Sequence, residues 1–574
     1  MPVVLNAFQR AENLRLMAER GVDILVVGGG ITGCGVALDA AVRGYRVGLV
    51  EKADFAGGTS SKSTKLIHGG IRYLPQYDFG LVREALVERG LLMRNAPFLV
   101  RPIGFILPLY ADAKRPLGMP ILLPRGIGRA QMLGAGLLLY DLMSGRLGIR
   151  RHRRLSVADA IRMAPCLKRS GLRDAFIYYD AQTDDARLTT TVMRTAALHA
   201  ALVANYAEVC GFRYTGSRIA AARVRDHVGG ADLEVRARYI VNAGGVFAGR
   251  IEALAGGKPS IQVEPAKGVH LTVPREALRM GQDAVVLPET DDGRILFLVP
   301  WGSRVTIGTT DTEGGDIDRP AASDGDVAYL LRHVNRYMDC RLTERDIISK
   351  WAGYRPLVRS ARSAATTAKL SRTHAVVEGA GGLITIVGGK LTTYRRMAQD
   401  LVDHIDRREG RTRHSALRAL HSALIPPPPT AIQHSALRTP HSALRTPLSG
   451  SEGWPEVRAA LPALAARLGL ASDQARRLAA YGSNLSVMLD MIAADPALGA
   501  RLVPDLPYTA AEVVYACRYE MALTLDDVLA RRTRIAIEDW RHGQDCAPAV
   551  ATLMARELGW DPAETARQLA AYQE

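Results

Sequence analysis

The stretch DILVVGGGITGCGVALDAAVRGYRVGLVEKADFAGGTSSKSTKLIHGGIRYL, residues 23–74, decides the fold. Its apolar run ILVV, at 24–27, is long enough for a buried strand. Gly28, Gly30 and Gly33 follow as G-x-G-x-x-G. In that pattern a tight strand-to-helix turn brings backbone N–H groups and the positive end of a helix dipole to a pyrophosphate. The stretch therefore predicts a dinucleotide-binding unit.

An acidic residue supports this interpretation. A second apolar run, at 47–50, ends in Glu51. An acid about 20 residues past the glycines suits a pair of ribose hydroxyls and would repel a 2′-phosphate. Strand, glycine turn, helix and acid thus occur in the expected order, although they do not distinguish FAD from NAD.

A polar block follows the acid. It consists of Thr59, Ser60, Ser61, Ser63, Thr64, Lys65, His68, Gly69, Gly70, Arg72 and Tyr73. A polar loop with a helix N-cap would explain the serines. It would not explain the closely spaced lysine, histidine, glycines, arginine and tyrosine.

This block resembles T-S-S-x-S-S-K-L-[IV]-H-G-G-[LIV]-R-Y-L of the FAD-dependent glycerol-3-phosphate dehydrogenases, which are respiratory, quinone-linked enzymes. Thr64 replaces the usual serine and keeps the hydroxyl. Trp301, GTTD at 308–311, WAGYRPL at 351–357 and IVGGKLTTYR at 386–395 are further matching elements. The resemblance covers residues 21 to about 409 strongly and about 461–540 more weakly.

The resemblance implies FAD as the cofactor and a set of contacts to it. These are Gly28, Gly29, Gly30, Thr32, Gly33, Glu51, Lys52, Thr59, Ser60, Ser63, Thr64, Lys65, His68, Gly69, Ala243, Gly244, Gly389, Lys390, Leu391 and Thr392. Gly249 stands near the position where the family usually has aspartate, so no acidic role is transferred to it.

The same resemblance implies a substrate site. Family counterparts of Arg72, Arg355 and Lys390 surround the substrate, so these cations are expected to bind its phosphate and polarise its C2 oxygen, with Tyr73 adding a hydroxyl. The proton acceptor is His68, His270 or a water polarised by an arginine. The predicted catalytic residues are therefore His68, Arg72, Arg355, Lys390 and His270.

The implied reaction oxidises sn-glycerol 3-phosphate to dihydroxyacetone phosphate and passes electrons from FAD to a membrane quinone. A glycerol-3-phosphate oxidase would share these motifs and use O₂. An amino-acid oxidase-like flavoenzyme would need an arginine for a carboxylate, without three cations. A membrane-bound flavoprotein without catalysis is a third alternative, because a fold does not fix a function.

Composition limits the other partners. Lys and Arg number 74 against 58 Asp and Glu, for a net charge of +16. Nucleic-acid readers concentrate such charge beside stacking aromatics. Aromatics make up only 6% here, so anionic lipid and substrate are favoured and no nucleic acid is expected. The six cysteines lack disulfide or metal-ligand spacing, which predicts a reducing compartment and no metal site.

Residues 111–155 predict contact with a membrane surface. Many leucines there precede a basic cluster of Arg146, Arg150, Arg151, His152, Arg153 and Arg154, which suits a helix in an anionic interface. A buried helix with a solvated basic loop is the alternative. Because no run of about 18 uninterrupted apolar residues exists, no spanning helix is expected. The resemblance, to a family whose members are monotopic, implies a cytoplasmic protein held peripherally (monotopically) at the inner face of the cell membrane. The oligomeric state is open, with a homodimer as one option.

The predicted fold class is α/β + β, plus a C-terminal all-α domain. A Rossmann-like FAD-binding domain is interleaved with an antiparallel-sheet substrate domain, and a C-terminal helical domain follows. Asp184 or Asp185 is expected to cap a helix, and Arg531, Arg532 and Arg534 to be solvated or salt-bridged. The segments are an N-terminal extension 1–20, an FAD-binding domain 21–260 with the insertion 111–155, a substrate sheet 261–350, a returning segment 351–409, a low-complexity linker 410–450 and the helical domain 451–574.

Overall fold

The computed structural model describes residues 4–113, 117, 128–359, 373–411 and 446–573. Most of the predicted linker, 412–445, lies outside the described residues, as do 114–116 and 118–127 of the predicted insertion. The end of the linker segment is packed, because Leu448 is buried and its backbone N–H donates to the Asn95 carbonyl at 2.8 Å.

The first sheet carries the glycine turn. It has eight strands, six of them in the order β17-β18-β10-β1-β2-β7, with β9 pairing to β10 and β8 to β9. Short runs rich in valine, leucine and isoleucine form its buried centre, as expected for strands covered on both faces. The strands are β1 Val22–Val27, β2 Val47–Val50, β7 Leu202–Ala204, β8 Ala207–Thr215, β9 Arg218–Asp226, β10 Asp232–Asn242, β17 His374–Glu378 and β18 Ile384–Gly388.

One edge of this sheet collects the predicted cofactor segments. Strands β18, β10, β1 and β2 are parallel neighbours, so their carboxyl ends lie side by side. The residues that follow these ends are Gly389, Ala243, Gly28 and Glu51. Ligands of open α/β sheets bind outside such carboxyl ends.

The second sheet has ten strands in the order β15-β11-β14-β13-β12-β4-β6-β3, with β16 beside β11 and β5 beside β6. Its pairs are antiparallel except β12 with β4. Four of its strands, β3 to β6, precede the predicted substrate segment 261–350 in the sequence, and β16 extends beyond it. They are β3 Leu66–Ile67, β4 Arg101–Tyr110, β5 Arg153–Leu155, β6 Leu172–Gln182, β11 Gln262–Pro274, β12 Ala284–Leu287, β13 Leu296–Trp301, β14 Arg304–Gly308, β15 Thr312–Glu313 and β16 Ser349–Arg359.

Helices cover both sheets and form the C-terminal domain. Asp184 is the N-cap of α6 and accepts from the Arg187 backbone N–H, which leaves Asp185 inside the first turn. The helices of the two-sheet body are α1 Ala7–Arg20, α2 Ile31–Val42, α3 Phe79–Asn95, α4 Arg129–Ser144, α5 Val157–Met163, α6 Asp185–Leu198, α7 Ala248–Leu254, α8 Asp324–Tyr337 and α9 Tyr394–Arg408. The C-terminal helices are α10 Trp454–Arg467, α11 Ser472–Leu478, α12 Leu485–Ala494, α13 Ala510–Tyr519, α14 Ile535–Glu538, α15 Ala547–Leu558 and α16 Pro562–Gln573.

Helix α4, in the predicted insertion, has two different faces. Leu133, Leu137 and Tyr140 are buried on its inner face. Leu138 and Leu142, on its outer face, are 48% and 66% exposed. Within the described ranges, no helix has both the length and the apolar character needed to cross a bilayer.

Buried arginines attach the C-terminal domain to the glycine-turn domain. Both oxygens of Asp54 accept from Arg532, at 2.6 and 2.9 Å, and Arg531 donates to the same carboxylate at 2.6 Å. Arg532 has no exposed side-chain surface. The sequence predicted solvated or salt-bridged charges here in preference to a partner surface, and the structure shows that these arginines form buried salt bridges.

A second buried ion-pair group lies beside the first. Arg534 binds Asp184 at 3.0 Å and also contacts Asp185. Burial alone would raise the pKa of Asp184, but the charges of Arg534 and Arg477 hold that pKa at about 2. The two domains are therefore joined by charges that neither domain could bury by itself.

We expect Arg532→Met to lower the free energy of unfolding by about 3–5 kcal/mol, because removing one partner leaves the Asp54 carboxylate buried with fewer donors. The matched control is Arg567→Met, which removes an exposed pair with Glu564 and should cost less than about 1 kcal/mol. Urea denaturation followed by circular dichroism measures both. Equal losses in the two variants would contradict the prediction.

Candidate functional site

The β1–α2 turn has no room for side chains. Gly28 has φ +116°, and a Cβ there would lie 2.6 Å from the Ala243 carbonyl oxygen. A Cβ on Gly33 would lie 1.9 Å from the Gly28 carbonyl oxygen. The turn thus brings bare backbone to the sheet edge at the start of α2, and this cradle fits the pyrophosphate of a dinucleotide.

Glu51 lies beside this turn. Its Oε2 accepts from the Gly29 backbone N–H at 2.6 Å and its Oε1 from that of Ala53 at 2.9 Å. Burial raises the pKa of Glu51, although both backbone donors oppose the rise. The carboxylate follows the end of β2, which is the position expected for an acid that binds the ribose hydroxyls. The ribose contact itself stays a prediction.

The hydroxyls at the start of the polar block bind neighbouring backbone. Ser60 Oγ accepts from the Ile31 N–H at 2.9 Å and so caps α2, whose N-cap Gly30 has no side chain. Thr59 Oγ1 donates to the Tyr354 carbonyl at 2.5 Å, which joins the block to β16 of the second sheet. The block therefore ties the two sheets together.

Two further members of the block bind a carboxylate instead of facing the turn. Asp185 Oδ2 accepts from the Ser63 backbone N–H and hydroxyl at 2.9 and 2.8 Å. Lys65 Nζ lies 3.0 Å from Asp185 Oδ1, and Arg534 reaches the same oxygen. Burial and the charge of Arg534 lower the pKa of Lys65. Sequence reasoning treated Asp185 only as a cap candidate and missed this role.

Two of the three predicted substrate cations contact Tyr73, and the third lies within range of the charge of one of them. Arg72 Nη2 donates to the Tyr73 hydroxyl at 2.7 Å, and Lys390 Nζ lies 4.2 Å from the centroid of its ring. Burial lowers the pKa of Arg355; Asp311 raises it, and the charge of Arg72 lowers it further. The structure therefore brings together the cations of three distant segments.

Arg355 is held by one of its two terminal nitrogens, and the other makes no hydrogen bond within the described residues. Its Nη2 donates to Thr309 Oγ1 at 3.0 Å and to the Thr310 carbonyl at 3.2 Å. Its Nη1 has no hydrogen-bond partner among the described residues, and Asp311 Oδ1 is 3.6 Å away. A Cβ on Gly268 would lie 2.5 Å from Nη2, so only glycine fits beneath the guanidinium.

His270 is buried beside this cluster. Its Nε2 lies 2.9 Å from Thr64 Oγ1, and its ring stacks on Trp351 with centroids 4.2 Å apart. Burial, with the charges of Arg355 and Lys65, lowers the pKa of His270 well below its ordinary value. The imidazole is therefore uncharged at neutral pH.

His68 lies four residues after Thr64 in the polar block. Its backbone N–H donates to Thr392 Oγ1 at 3.2 Å, which connects it to the segment that returns along β18. His68, Arg72 and Asp180 line one pocket. Leu391 and Thr392 lie in a short 3₁₀ turn, Leu391–Thr393, directly after Lys390.

The remaining predicted cofactor contacts lie around the sheet edge. Thr32 is in the first turn of α2, and Gly244 is the N-cap of a short turn after β10. Lys52 is nearer the surface, with Nζ 3.9 Å from the centroid of the Phe247 ring.

Arg294 was not identified from the sequence. It lies between β12 and β13, and its Nη1 donates to the Asp311 carbonyl at 2.6 Å. Its charge contributes to lowering the pKa of Arg355. A lone arginine after an Asp-Asp-Gly turn resembles ordinary loop charge, so no sequence pattern marks it.

Comparisons with known proteins agree with this geometry. A family model described as FAD dependent oxidoreductase matches residues 23–395, and one described as the C-terminal domain of alpha-glycerophosphate oxidase matches 442–565. Glycerol-3-phosphate dehydrogenase 2 of Mycobacterium tuberculosis is 40% identical over 571 residues, 99% of this chain and 90% of its own. The mitochondrial glycerol-3-phosphate dehydrogenase of Bos taurus is 35% identical over 597 residues, 98% of this chain and 75% of its own.

A solved structure gives the same result. The crystal structure of the glycerol-3-phosphate dehydrogenase from Bacillus halodurans, complexed with FAD, matches with a TM-score of 0.75 and 29% identity. The match covers 99% of this chain and 97% of that one. The predicted fold class, the FAD cofactor and the dehydrogenase class are confirmed. The chain belongs to the family of FAD-dependent glycerol-3-phosphate dehydrogenases.

Proposed function

We propose that this protein oxidises sn-glycerol 3-phosphate at C2 to dihydroxyacetone phosphate and passes the electrons to a membrane quinone. The observation that carries the proposal is a group of three cations: Arg72 and Lys390 contact Tyr73, and Arg355 lies within range of the charge of Arg72. Bound FAD supplies a hydride acceptor at its N5 atom. The names of the relatives support the substrate.

The cations have complementary tasks in this reaction. The two bonds that Nη2 makes fix the guanidinium of Arg355 and leave Nη1 as its donor for a phosphate oxygen. Lys390 and Arg72 add positive charge beside the Tyr73 ring. One of these donors polarises the C2 oxygen while the others hold the phosphate.

His270 is our choice for the proton acceptor. Its imidazole is uncharged, so Nε2 or Nδ1 can take the C2 hydroxyl proton. A substrate phosphate beside Arg355 would offset one of the charges that depress its pKa and make the ring more basic. His68, which lines the pocket with Arg72, is the alternative, as is a polarised water.

The three alternative functions account for fewer of these structural observations. An amino-acid oxidase-like enzyme would not use three cations, and a non-catalytic flavoprotein would not use an oriented Arg355. An oxidase that passes electrons to O₂ shares every substrate residue. Quinone is favoured because the exposed leucines of α4 offer a way to reach a membrane.

The outer face of α4 supports a peripheral location at the inner face of the cell membrane. Leu138, Leu139 and Leu142 are exposed there. The chain after the helix adds exposed basic residues, namely Arg146, Arg150, Arg151 and Arg153. Apolar side chains beside basic ones bind anionic bilayers through buried area and charge together.

We expect anaerobic sn-glycerol 3-phosphate to bleach the absorption of the bound flavin near roughly 450 nm, a property of any oxidised flavin. Glycerol and glycine, which lack the phosphate, should leave the band unchanged. A ubiquinone analogue should restore it faster than air does. A band bleached by glycine, or by none of these compounds, contradicts the proposed substrate.

We expect Arg355→Lys to lower kcat/KM about ten- to a hundredfold, since a hydrogen bond to a charged group is worth roughly 1.5–3 kcal/mol and lysine lacks the planar fork. FAD content should not change. Arg275→Lys is the matched control, because Arg275 also donates to backbone carbonyls, at Met280 and Gly281, away from the pocket. Steady-state kinetics with a dye acceptor measure both. A normal kcat/KM in Arg355→Lys would exclude the assigned role.

We expect Leu138→Ser with Leu142→Ser to weaken binding to phosphatidylglycerol vesicles about tenfold or more, because burial of a leucine side chain contributes roughly 1.5–3 kcal/mol. Leu254→Ser, at another exposed leucine, on α7, is the control and should bind normally. Vesicle co-sedimentation at low and high salt gives the affinities. Unchanged binding by the double variant would show that α4 is not the contact.

A further inference from the structure

We propose that Asp180, held by Arg89 and Tyr140, is a positioning residue that fixes the His68–Arg72 turn for catalysis. The proposal rests on the proposed function, because it concerns how fast the same substrate reduces the flavin. Asp180 lies near the end of β6, and neither the predicted site residues nor the proposed mechanism includes it.

The carboxylate of Asp180 is bound from three elements. Its Oδ1 accepts from the Gly69 backbone N–H at 3.2 Å, from Arg89 Nη1 of α3 at 2.5 Å and from the Tyr140 hydroxyl of α4 at 2.9 Å. Its Oδ2 is 2.8 Å from the same hydroxyl. Asp180 is 1% exposed. These donors fix the orientation of the buried carboxylate. Its bond to the Gly69 N–H in turn fixes the position of that backbone.

The turn is packed as well as hydrogen-bonded. A Cβ on Gly69 would lie 2.4 Å from the Tyr140 hydroxyl and 2.4 Å from a methyl group of Leu86. Gly70 then takes a left-handed conformation, with φ +75°. The position of the turn is therefore set by direct contact with α3 and α4.

The residues on either side of the turn belong to the proposed site: Arg72 is one of its cations, and His68 is the alternative proton acceptor. His68 and Arg72 line one pocket together with Asp180 itself. Misplacement of reacting groups by about 1 Å can slow a reaction about a hundredfold. The second group of substrate contacts, Arg355 and Lys390, lies on segments that make no hydrogen bond to Asp180 among the described residues.

Arg89 is itself held by α4. Its Nη2 donates to Ser144 Oγ at 3.2 Å, and Ser144 donates to the Tyr140 carbonyl at 3.1 Å. The inner face of α4 therefore supplies the Tyr140 hydroxyl as a direct donor to Asp180 and, through Ser144, holds the second side-chain donor, Arg89. Tyr140 is the better test residue, since removing its hydroxyl leaves the ring and the buried ion pair in place.

The test is stopped-flow reduction of the flavin by sn-glycerol 3-phosphate in Tyr140→Phe holoenzyme. We expect the reduction rate at saturating substrate to fall about tenfold, with unchanged FAD content, because one bond to a charged group is lost. The half-saturating concentration should change less than in Arg355→Lys. Ser144→Ala, one step further from Asp180, should slow reduction about two- to threefold.

The matched control is Tyr110→Phe. The Tyr110 hydroxyl is also buried and donates to the carbonyls of Lys168 and Tyr337, far from the turn. Its variant should reduce at the normal rate even if it melts earlier. A normal rate in Tyr140→Phe, or the same slowing in Tyr110→Phe, overturns the positioning role alone. Wild-type flavin that sn-glycerol 3-phosphate does not reduce overturns the proposed function and this role with it.

Discussion

The arrangement of the site depends on buried charge pairs between the C-terminal domain and the glycine-turn domain. Arg534 meets Asp185, and Asp185 also holds Ser63 and Lys65 of the polar block. Asp54, just past the end of β2, is likewise neutralised by Arg531 and Arg532 of the last domain. A buried carboxylate without a partner is costly, so the C-terminal domain stabilises the cofactor edge in its observed shape.

Local patterns predicted the parts of the molecule that local physics determines. The glycine turn and the strands at 24–27 and 47–50 follow from apolar runs and from backbone space that only glycine leaves. The convergence of Arg72, Arg355 and Lys390 came from a family resemblance. No spacing rule brings those segments together; in the structure Arg72 and Lys390 contact Tyr73, and Arg355 is close enough for the charge of Arg72 to lower its pKa.

Long-range pairing was beyond the reach of the sequence. Nothing in a single chain states that β4 and β6 extend the substrate sheet, or that β16 lies along β11 from Ser349 onward. Charged residues were the hardest to interpret, because Asp180, Asp185 and Arg532 have the same letters as surface charges. Only tertiary structure reveals that they are buried, and burial turns an ordinary charge into a constraint.

Helix α4 has solvent on one side and the catalytic turn on the other. Its outer leucines and its inner Tyr140 are separated by one helix diameter, about 10 Å. If α4 contacts a membrane as proposed, detergent, nanodisc and vesicle preparations would differ in more than solubility. The amphiphile that touches Leu138 and Leu142 would then be an assay variable, and rate constants measured in different amphiphiles would not be directly comparable.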